Sequence, residues 1–481
     1  MYKLVLYGAG KRCIKLCGLL KQSAIEIAAI LDSDCNKWGE EVEGYLIESP
    51  DKMYELKEAY VYITVGNKDM QKAIRRDLQS KYQYDLTKEI HYNRLILDIY
   101  ESNEKMKENI LSKNVERNRK ESFLFDCLNG LILGGIEEWT IGICDALIKS
   151  GKENIYVIAK QGSYTIPKVL ENHIVCVDRD SCEISSIKAV WDLVEVIINK
   201  LPCKVITTQP GDLMIAAYLV KCCYPDLIEI ISTIRGGGVE WIYERYMDFK
   251  KCPDVYIGVS QDIREDMIQK GIRPEKVLTM SVPFACEKEL NRTYTEDRLK
   301  PICIGYAGRM ENAQKRMDLL LKLLAELEEK KVIYNVELAG DGVMREEMER
   351  FVVANRLTNK VKFLGRIPRS EIPAFWKRQD ICVNIADYEG RSHSIIEAMG
   401  NGAVPVVTAT SGVREDITDD VNGYIVPLRD YHTMAEKIVY LTEHRERLAE
   451  MGKLAHDAVY PKSRMENHLK FWEDVLSHKI W

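Results

Sequence analysis

A segment near the C-terminus carries the residues best suited to binding phosphate and sugar hydroxyls. Residues 381–408 read ICVNIADYEGRSHSIIEAMGNGAVPVVT. The apolar run that ends near Ile385 predicts a buried strand, and a loop with Glu389 leads into a helix that begins around Ser392. Helix N-termini attract phosphate, because their first N–H groups lack carbonyl partners. Glu397, more than one turn into this helix, could accept hydrogen bonds from two sugar hydroxyls.

Two cations are predicted beside a second helix start, upstream of the first. Residues 305–309 end a strand, and Gln314, Lys315 and Arg316 open the following helix. Arg309 and Lys315 could neutralise a diphosphate leaving group as its charge grows, which is the role of a bound metal ion in other enzymes. The spacing therefore predicts chemistry on a diphosphate without a metal.

The elements that must position these residues follow a repeated strand–helix pattern. The pattern restarts after a charged stretch at 104–121, which is predicted to be a connector, and again after a polar stretch at 287–300. Alternating βα units predict parallel sheets covered by helices on both faces. We therefore expect three doubly wound α/β domains, with residues 1–115, 116–295 and 296–481.

Composition excludes several classes of protein. The 481 residues are 46% hydrophobic and 30% charged, which is typical of a globular protein. The net charge of −6 gives no positive field for nucleic acid. No apolar run approaches the ~18 residues of a membrane helix, and the N-terminal apolar stretch is too short for a signal peptide. The 14 cysteines show no zinc-site spacing, so we interpret them as buried thiols in a reducing compartment.

The order of the motifs resembles a known enzyme family. The sequence GR…K, then AGDG, then VKFLGRIP, then EGx6EAMx2Gx2PVV is similar to the C-terminal lobe of the retaining glycosyltransferases grouped as family 4, which have the GT-B fold. Gly134-Gly135-Ile136-Glu137 is similar to the GGI loop of that family's N-terminal lobe, and Val259-Ser260 before a helix also matches. The resemblance spans roughly residues 122–475.

This resemblance implies roles for individual residues. Glu397 would bind the ribose of a nucleotide, Glu389 the hydroxyls of the transferred sugar, and Arg309 and Lys315 the diphosphate. Backbone amides that would meet the sugar or phosphate belong to Arg391, Ser392, His393 and Ser394. The glycines that would let the opposite lobe approach the diphosphate are Gly134 and Gly135.

Two departures from the family pattern concern cations. Arg235 stands where many members have a histidine near the reacting sugar, so we expect Arg235 to face the acceptor. The interval from Arg309 to the lysine is one residue longer than the commonest spacing, which leaves Lys315 and Arg316 as alternatives. The neighbouring aromatic residues Trp241 and Tyr243 are interpreted as packing.

The first domain carries the outline of a dinucleotide-binding fingerprint. Gly8 and Gly10 follow a strand, and Asp32 ends the next strand, but Cys13 replaces the third glycine. The domain is similar to the N-terminal Rossmann-like domain of sugar acyltransferases of the sialic-acid O-acetyltransferase type. We expect an accessory domain that does not bind NAD(P) tightly.

Other interpretations remain open. Asp178-Arg179-Asp180 resembles a metal-binding DxD motif, although an ordinary solvated turn fits its position better. A non-catalytic GT-B subunit that stabilises a partner glycosyltransferase would share the fold. An NAD-dependent sugar-modifying enzyme centred on the first domain would need a catalytic pair such as Tyr-x-x-x-Lys there.

The expected protein is a GT-B enzyme with an additional Rossmann-like domain and an active site in the cleft between its two lobes. It would be retaining and metal-independent, with a nucleotide-sugar donor (a UDP-sugar favoured over a GDP-sugar), no cofactor, and a glycan or lipid-linked acceptor. Family association suggests bacterial surface polysaccharide synthesis in the cytoplasm, with peripheral membrane association and oligomerisation both open.

Overall fold

The computed structural model describes residues 2–117, 119–128, 135–160, 168–177, 187–284 and 287–477. The chain divides into two compact units. The first contains Met1–Ser232 and Glu244–Asp254, and the second contains Thr233–Tyr243 and Val255–Trp481. Strands and helices alternate in both units, so the α/β class predicted from the sequence is confirmed.

The first unit begins with a sheet in the order β3-β4-β2-β1-β5. Its neighbours are parallel except β3 and β4. The strands are β1 (Lys3–Tyr7), β2 (Glu26–Leu31), β3 (Glu41–Val42), β4 (Tyr45–Glu48) and β5 (Tyr60–Ile63). The helices are α1 (Lys11–Leu20), α2 (Lys68–Ser80), α3 (Tyr92–Glu101) and α4 (Glu104–Leu111).

Five further strands of this unit are parallel and run in the order β10-β9-β6-β7-β8. They are β6 (Ser122–Cys127), β7 (Ile155–Lys160), β8 (Ile174–Val177), β9 (Cys203–Thr207) and β10 (Ile228–Ile234). The associated helices are α5 (Gly135–Lys149), α6 (Ile187–Ile198) and α7 (Asp212–Cys223), and α8 (Glu240–Asp248) follows β10.

Helices α3 and α4 pack on α7, so one apolar core continues from the first sheet to the helices of β6–β10. Helix α4 buries Met106 and Ile110, which lie one turn apart. The hydroxyl of Tyr224 donates to the carbonyl of Ile110 at 3.1 Å. The charged stretch that was expected to be a connector is therefore a packed helix in its first half, and that expectation is wrong.

The second unit contains a parallel pair, β11 (Val255–Gly258) and β12 (Val277–Thr279), with helix α9 (Gln261–Gln269) between them in sequence. Its main sheet is parallel, in the order β15-β14-β13-β16-β17-β18. These strands are β13 (Ile302–Ala307), β14 (Tyr334–Ala339), β15 (Val361–Gly365), β16 (Ile381–Asn384), β17 (Val404–Thr408) and β18 (Tyr424–Val426).

Helices cover this sheet and bury its apolar residues, because strands covered on both faces must be apolar throughout. They are α10 (Met317–Glu329), α11 (Arg345–Ala354), α12 (Ile372–Lys377), α13 (His393–Gly400), α14 (Tyr431–Glu443) and α15 (Glu446–Val459). Helix α16 (Met465–Leu476) follows α15 in the chain. The carboxyl ends of β13 and β16 are adjacent, and ligands of open α/β sheets bind at such ends.

Candidate active site

Helix α13 begins with an N-terminus that lacks any acidic side chain. Ser392 occupies the N-cap position, but its hydroxyl does not cap the helix. That hydroxyl instead contacts Asn384 Nδ2 and Ser394 Oγ, each at 3.2 Å. Because no carboxylate neutralises the first turn, the free N–H groups and the helix dipole can accept an anion.

Glu389 lies in the loop before α13 and is buried, with 8% of its surface exposed. Its Oε1 accepts a hydrogen bond from Lys315 Nζ and a weak one from Asn384 Nδ2 at 3.4 Å. Its Oε2 accepts from Gln314 Nε2 at 3.3 Å. The structure therefore brings together two residues that the sequence analysis assigned to the site, in direct contact and across 74 positions of sequence.

The loops that carry Lys315 and Glu389 are joined by further bonds. Asp387 N–H donates to the carbonyl of Gln314 at 2.9 Å, and Gln314 Nε2 donates to the carbonyl of Tyr388 at 2.9 Å. These contacts hold residues 314–316 alongside residues 387–389. Lys315, one of the two alternatives left by the sequence, is the cation that faces Glu389.

Arg316, the other alternative, is engaged elsewhere. It has a left-handed backbone conformation, with φ of +54°. Its guanidinium donates to Asp318 at 2.8 and 2.9 Å and to Asp387 at 3.0 and 3.2 Å. Arg429 also donates two bonds to Asp387, at 2.8 and 3.0 Å. Burial alone would raise the pKa of Asp387, but the hydrogen bonds from Arg429 and Arg316 lower it.

Arg309 follows β13 and has a largely exposed side chain. Its Nη2 donates to Gln314 Oε1 at 2.6 Å, so Arg309 reaches the residue that also contacts Glu389. The Gly-rich turn after β14 allows close packing here. A Cβ added to Gly340, which has φ of +136°, would lie 1.9 Å from the carbonyl oxygen of Gly308. Arg309, Lys315 and Glu389 thus form one connected polar group.

Arg391 has an ion-pair partner that the sequence did not predict. Its buried guanidinium donates to Asp416 at 2.6 and 2.8 Å. Gly390, beside it, packs so tightly that an added Cβ would lie 2.2 Å from the carbonyl oxygen of Arg235. The loop ahead of α13 is therefore fixed by an ion pair on one side and by the Arg235 backbone on the other.

Arg235 lies close enough to affect the first residue of α13. Burial, together with the charges of Arg235 and Arg369, lowers the pKa of His393 to about 3. Burial likewise lowers the pKa of His468, on α16, to about 3, again with a contribution from Arg235. Arg235 was expected to face the acceptor, and its position beside Gly390 and His393 places it next to the segment assigned to the donor.

Glu397 lies in the second half of α13, on the side toward β16. Burial raises the pKa of the Cys382 thiol, and the Glu397 carboxylate raises it further. The backbone carbonyl of Glu397 accepts hydrogen bonds from Asn401, so the end of the helix is also fixed. This agrees with the expected position more than one turn beyond the loop.

Some predicted residues lie elsewhere in the chain. Gly135 opens α5 in the first unit and is exposed. Gly134 and the Asp178-Arg179-Asp180 motif lie outside the described residues. Within the described ranges, no cluster of three His, Cys, Asp or Glu side chains could hold a metal ion. In the same part of the chain, no helix is long and apolar enough to cross a membrane.

The fingerprint-like loop of the first domain is occupied by the protein's own contacts. Asp32 Oδ2 accepts from Ala9 N–H at 2.8 Å and from Lys37 Nζ at 2.9 Å. Burial alone would raise the pKa of Asp32, but these bonds and one from Asp34 N–H lower it. The carboxylate that would bind a ribose in a dinucleotide site is thus already hydrogen-bonded within the domain.

Trp241 and Tyr243, which were both interpreted as packing residues, differ in the structure. Tyr243 is 3% exposed, so packing is confirmed for it. Trp241 is 48% exposed, so about half of its surface remains in solvent. The sequence carries no signal for this difference, because both residues lie in a short helix without a clear apolar face.

Comparison with known proteins identifies the segment that carries the site. The family model described as "Glycosyl transferases group 1" matches residues 287–457, and the one described as "C2185-like, N-terminal" matches residues 1–90. The poly(ribitol-phosphate) alpha-N-acetylglucosaminyltransferase of Staphylococcus aureus is 26% identical over 177 residues, 36% of this chain and 35% of that protein. Alpha-D-kanosaminyltransferase of Streptomyces kanamyceticus is 30% identical over 184 residues, 38% of this chain and 47% of that protein. The chain thus spans less than half the length of these two relatives.

Solved structures resemble most of the chain at low sequence identity. Anabaena HepE, crystallised with UDP and glucose, has a TM-score of 0.60 at 16% identity. The match covers 74% of this chain and 100% of the HepE chain. A variant of S. aureus TarM, crystallised with UDP and a glycan, has a TM-score of 0.51 at 15% identity and covers 99% of this chain and 100% of its own. The predicted GT-B fold is confirmed, and residues 287–457, which contain the Lys315–Glu389 site, match the group 1 glycosyltransferase family model.

Proposed function

We propose that this protein is a retaining, metal-independent glycosyltransferase that moves a sugar from a nucleotide-sugar donor to a glycan or lipid-linked acceptor. The observation that carries the proposal is the buried Lys315–Glu389 pair in front of an α13 N-terminus that has no acidic side chain. A cation, a sugar-binding carboxylate and an anion-binding helix end are what a sugar diphosphate requires.

The chemistry follows from what each group offers. The first turn of α13 would bind a phosphate of the donor through its N–H groups, and Glu389 would accept hydrogen bonds from the sugar hydroxyls. Lys315 would release Glu389 and bind the diphosphate. Arg309, which has an exposed side chain, would also bind the diphosphate. As the sugar–oxygen bond breaks, negative charge on the leaving diphosphate increases, so these cations lower the barrier without a metal.

A nucleoside diphosphate, UDP favoured over GDP, is the proposed leaving group. UDP is present in the structures of HepE and of the TarM variant named above, although their identity with this chain is only 16% and 15%. Glu397 would bind the ribose from inside α13. Synthesis of a surface polysaccharide is the proposed setting, with an acceptor glycan or glycolipid.

The proposal is tested with purified full-length protein and a panel of UDP- and GDP-sugars. We expect release of nucleoside diphosphate that persists in EDTA, with retention of anomeric configuration in the product. Glu397→Gln should weaken UDP binding in titration calorimetry by about 1–3 kcal/mol, the range for charge-assisted hydrogen bonds. Glu329→Gln, at the exposed end of α10, is the matched control.

Three results would contradict the proposal. Strict dependence on Mn²⁺ would favour Asp178 and Asp180 as metal ligands. Unchanged UDP affinity in Glu397→Gln would remove the ribose assignment. Absence of turnover with every donor, together with activation of a partner transferase, would instead support the non-catalytic subunit.

A further inference from the structure

An exposed aromatic side chain lies next to the loop that carries Glu389. The rings of Trp241 and Tyr388 meet edge to face, with centroids 5.9 Å apart and planes at 90°. Trp241 is 48% exposed, whereas Tyr243 on the same helix is 3% exposed. Tyr and Trp are enriched at binding surfaces, because their rings offer an apolar body and a polar group that can stay hydrated.

Trp241 is held in place by the residues around it. Ile242 packs so closely that a Cβ added to Gly236 would lie 3.0 Å from its Cδ1. The hydroxyl of Tyr243 donates to Asp266 and accepts from Gly238 N–H at 3.3 Å. Glu240 accepts a hydrogen bond from Lys270. The residues on both sides of Trp241 are therefore anchored, and its ring contacts Tyr388.

Tyr388 connects this ring to the proposed active site. Its carbonyl accepts a bond from Gln314 Nε2 at 2.9 Å, and Glu389 is the next residue. Burial raises the pKa of Tyr388, and the charges of Glu311, Arg309 and Glu389 also act on it. The aromatic pair is therefore bordered by charged groups that can hydrogen-bond hydroxyls, including the exposed guanidinium of Arg309.

We propose that Trp241 and Tyr388 form an aromatic subsite that binds a pyranose ring of the acceptor glycan. A pyranose presents C–H groups on its faces and hydroxyls at its edge, which matches an aromatic surface bordered by charged side chains. The inference rests on the proposed function, which assigns the donor sugar and diphosphate to Glu389 and α13. The adjoining aromatic surface is then left for the second substrate.

The test uses full-length wild type, Trp241→Ala and Trp241→Phe, with Trp38→Ala as the matched control. Trp38 is 44% exposed and lies in the first unit, so its removal deletes a comparable side chain. Donor hydrolysis is measured with UDP-glucose and UDP-N-acetylglucosamine. Transfer is measured to methyl glycosides and disaccharides of glucose, galactose and N-acetylglucosamine.

In Trp241→Ala we expect the acceptor KM to rise about tenfold, the size of one aromatic stacking contact. The donor KM should change less than twofold. Trp241→Phe should recover most of the loss, because it restores a ring, and Trp38→Ala should match wild type. Thermal unfolding of each variant shows whether the fold is intact.

Several outcomes would overturn the inference. An unchanged acceptor KM, or an equal loss of UDP affinity, would remove the acceptor assignment, and the latter would place the nucleotide base on Trp241. Donor hydrolysis by wild type with transfer to none of the glycosides would also contradict a pyranose subsite. Absence of any hydrolysis or transfer contradicts the proposed function instead, and calorimetric binding of the same glycosides to the same variants then decides the subsite by itself.

Discussion

Lys315 and Glu389 form an ion pair in which the two side chains are only 14% and 10% exposed. The pair joins the loop before α10 to the loop before α13. In the proposed reaction the ion pair separates, because Lys315 binds the diphosphate and Glu389 binds the sugar. The pair therefore keeps two buried charges satisfied until the donor replaces each partner.

The first prediction separates the structural role of this pair from its chemical role. Lys315→Met leaves the Glu389 carboxylate buried without its cation, so we expect a loss of about 2 kcal/mol in the free energy of unfolding. The turnover number should fall about 100-fold or more, because a cation on the leaving group is lost. Urea denaturation and steady-state kinetics measure the two effects.

The double variant Lys315→Met/Glu389→Gln provides the control. Removing both charges should recover most of the stability, since no uncompensated charge remains, but none of the activity. Recovery of activity in the double variant would show that the lysine only neutralises Glu389.

The sequence predicted much of this site and missed the contacts that hold it. Strand β13 spans Ile302–Ala307, as the apolar run predicted, because short buried strands leave a local signature. The Arg391–Asp416 and Arg316–Asp387 ion pairs could not be predicted from the sequence. The two residues of each pair lie 25 and 71 positions apart, and periodicity carries no information on such contacts. The packing of α4 was missed because three apolar residues in an eight-residue segment that is otherwise polar or charged resemble a solvated helix.

The second prediction concerns Asp387, which we expect to position Glu389. Asp387→Asn weakens the bonds from Arg316, whose left-handed backbone depends on its surroundings. The loop with Glu389 should shift, and the turnover number should fall at least tenfold, since small misplacements of reacting groups are costly.

Arg429→Gln is the comparison for this variant. Arg429 contacts the same carboxylate from an exposed position, and exposed ion pairs contribute about 0–1 kcal/mol. Steady-state kinetics and urea denaturation of both variants distinguish a positioning role of Asp387 from a contribution to stability alone. Equal effects on turnover would show that the carboxylate matters for general stability, with no positioning role through Arg316.

The third prediction concerns pH and the two buried histidines near Arg235. Since the pKa values of His393 and His468 are about 3 in the folded protein, both stay neutral where an unfolded histidine takes up a proton. The unfolded state therefore binds more protons below pH ~6.5, and stability falls as pH falls. Between pH ~6.5 and ~4.5 each histidine should contribute a slope of up to about 1.4 kcal/mol per pH unit.

Urea denaturation at a series of pH values tests this. His393→Gln and His468→Gln should each flatten the curve, and so should Arg235→Gln, because its removal lets both pKa values rise. His432→Gln is the control, because the His432 side chain on α14 is 67% exposed. In kinetics, Arg235→Gln should raise the donor KM at least as much as the acceptor KM, and a change confined to the acceptor KM would instead support the orientation that the sequence suggested.

The last prediction concerns the extent of the first domain. A first domain of residues 1–115, followed by a connector, would predict that a chain starting near Val115 folds and retains donor binding. In the structure, α3 and α4 cover α7, in which eight residues are buried. A chain starting at Val115 would expose that apolar surface, so we expect it to aggregate.

A chain starting at Tyr92 keeps both covering helices and removes little beyond residues 1–90, the segment matched by a separate family. It also exposes the face of α3 that packs on the first sheet, where Tyr2 OH contacts Asp98 at 3.0 Å, so its melting temperature should fall below that of the full chain. Because the proposed donor residues lie in the second unit, this shorter chain should still bind UDP in calorimetry. A soluble chain starting at Val115, with the same melting temperature as the chain starting at Tyr92, would show that α3 and α4 are dispensable to α7.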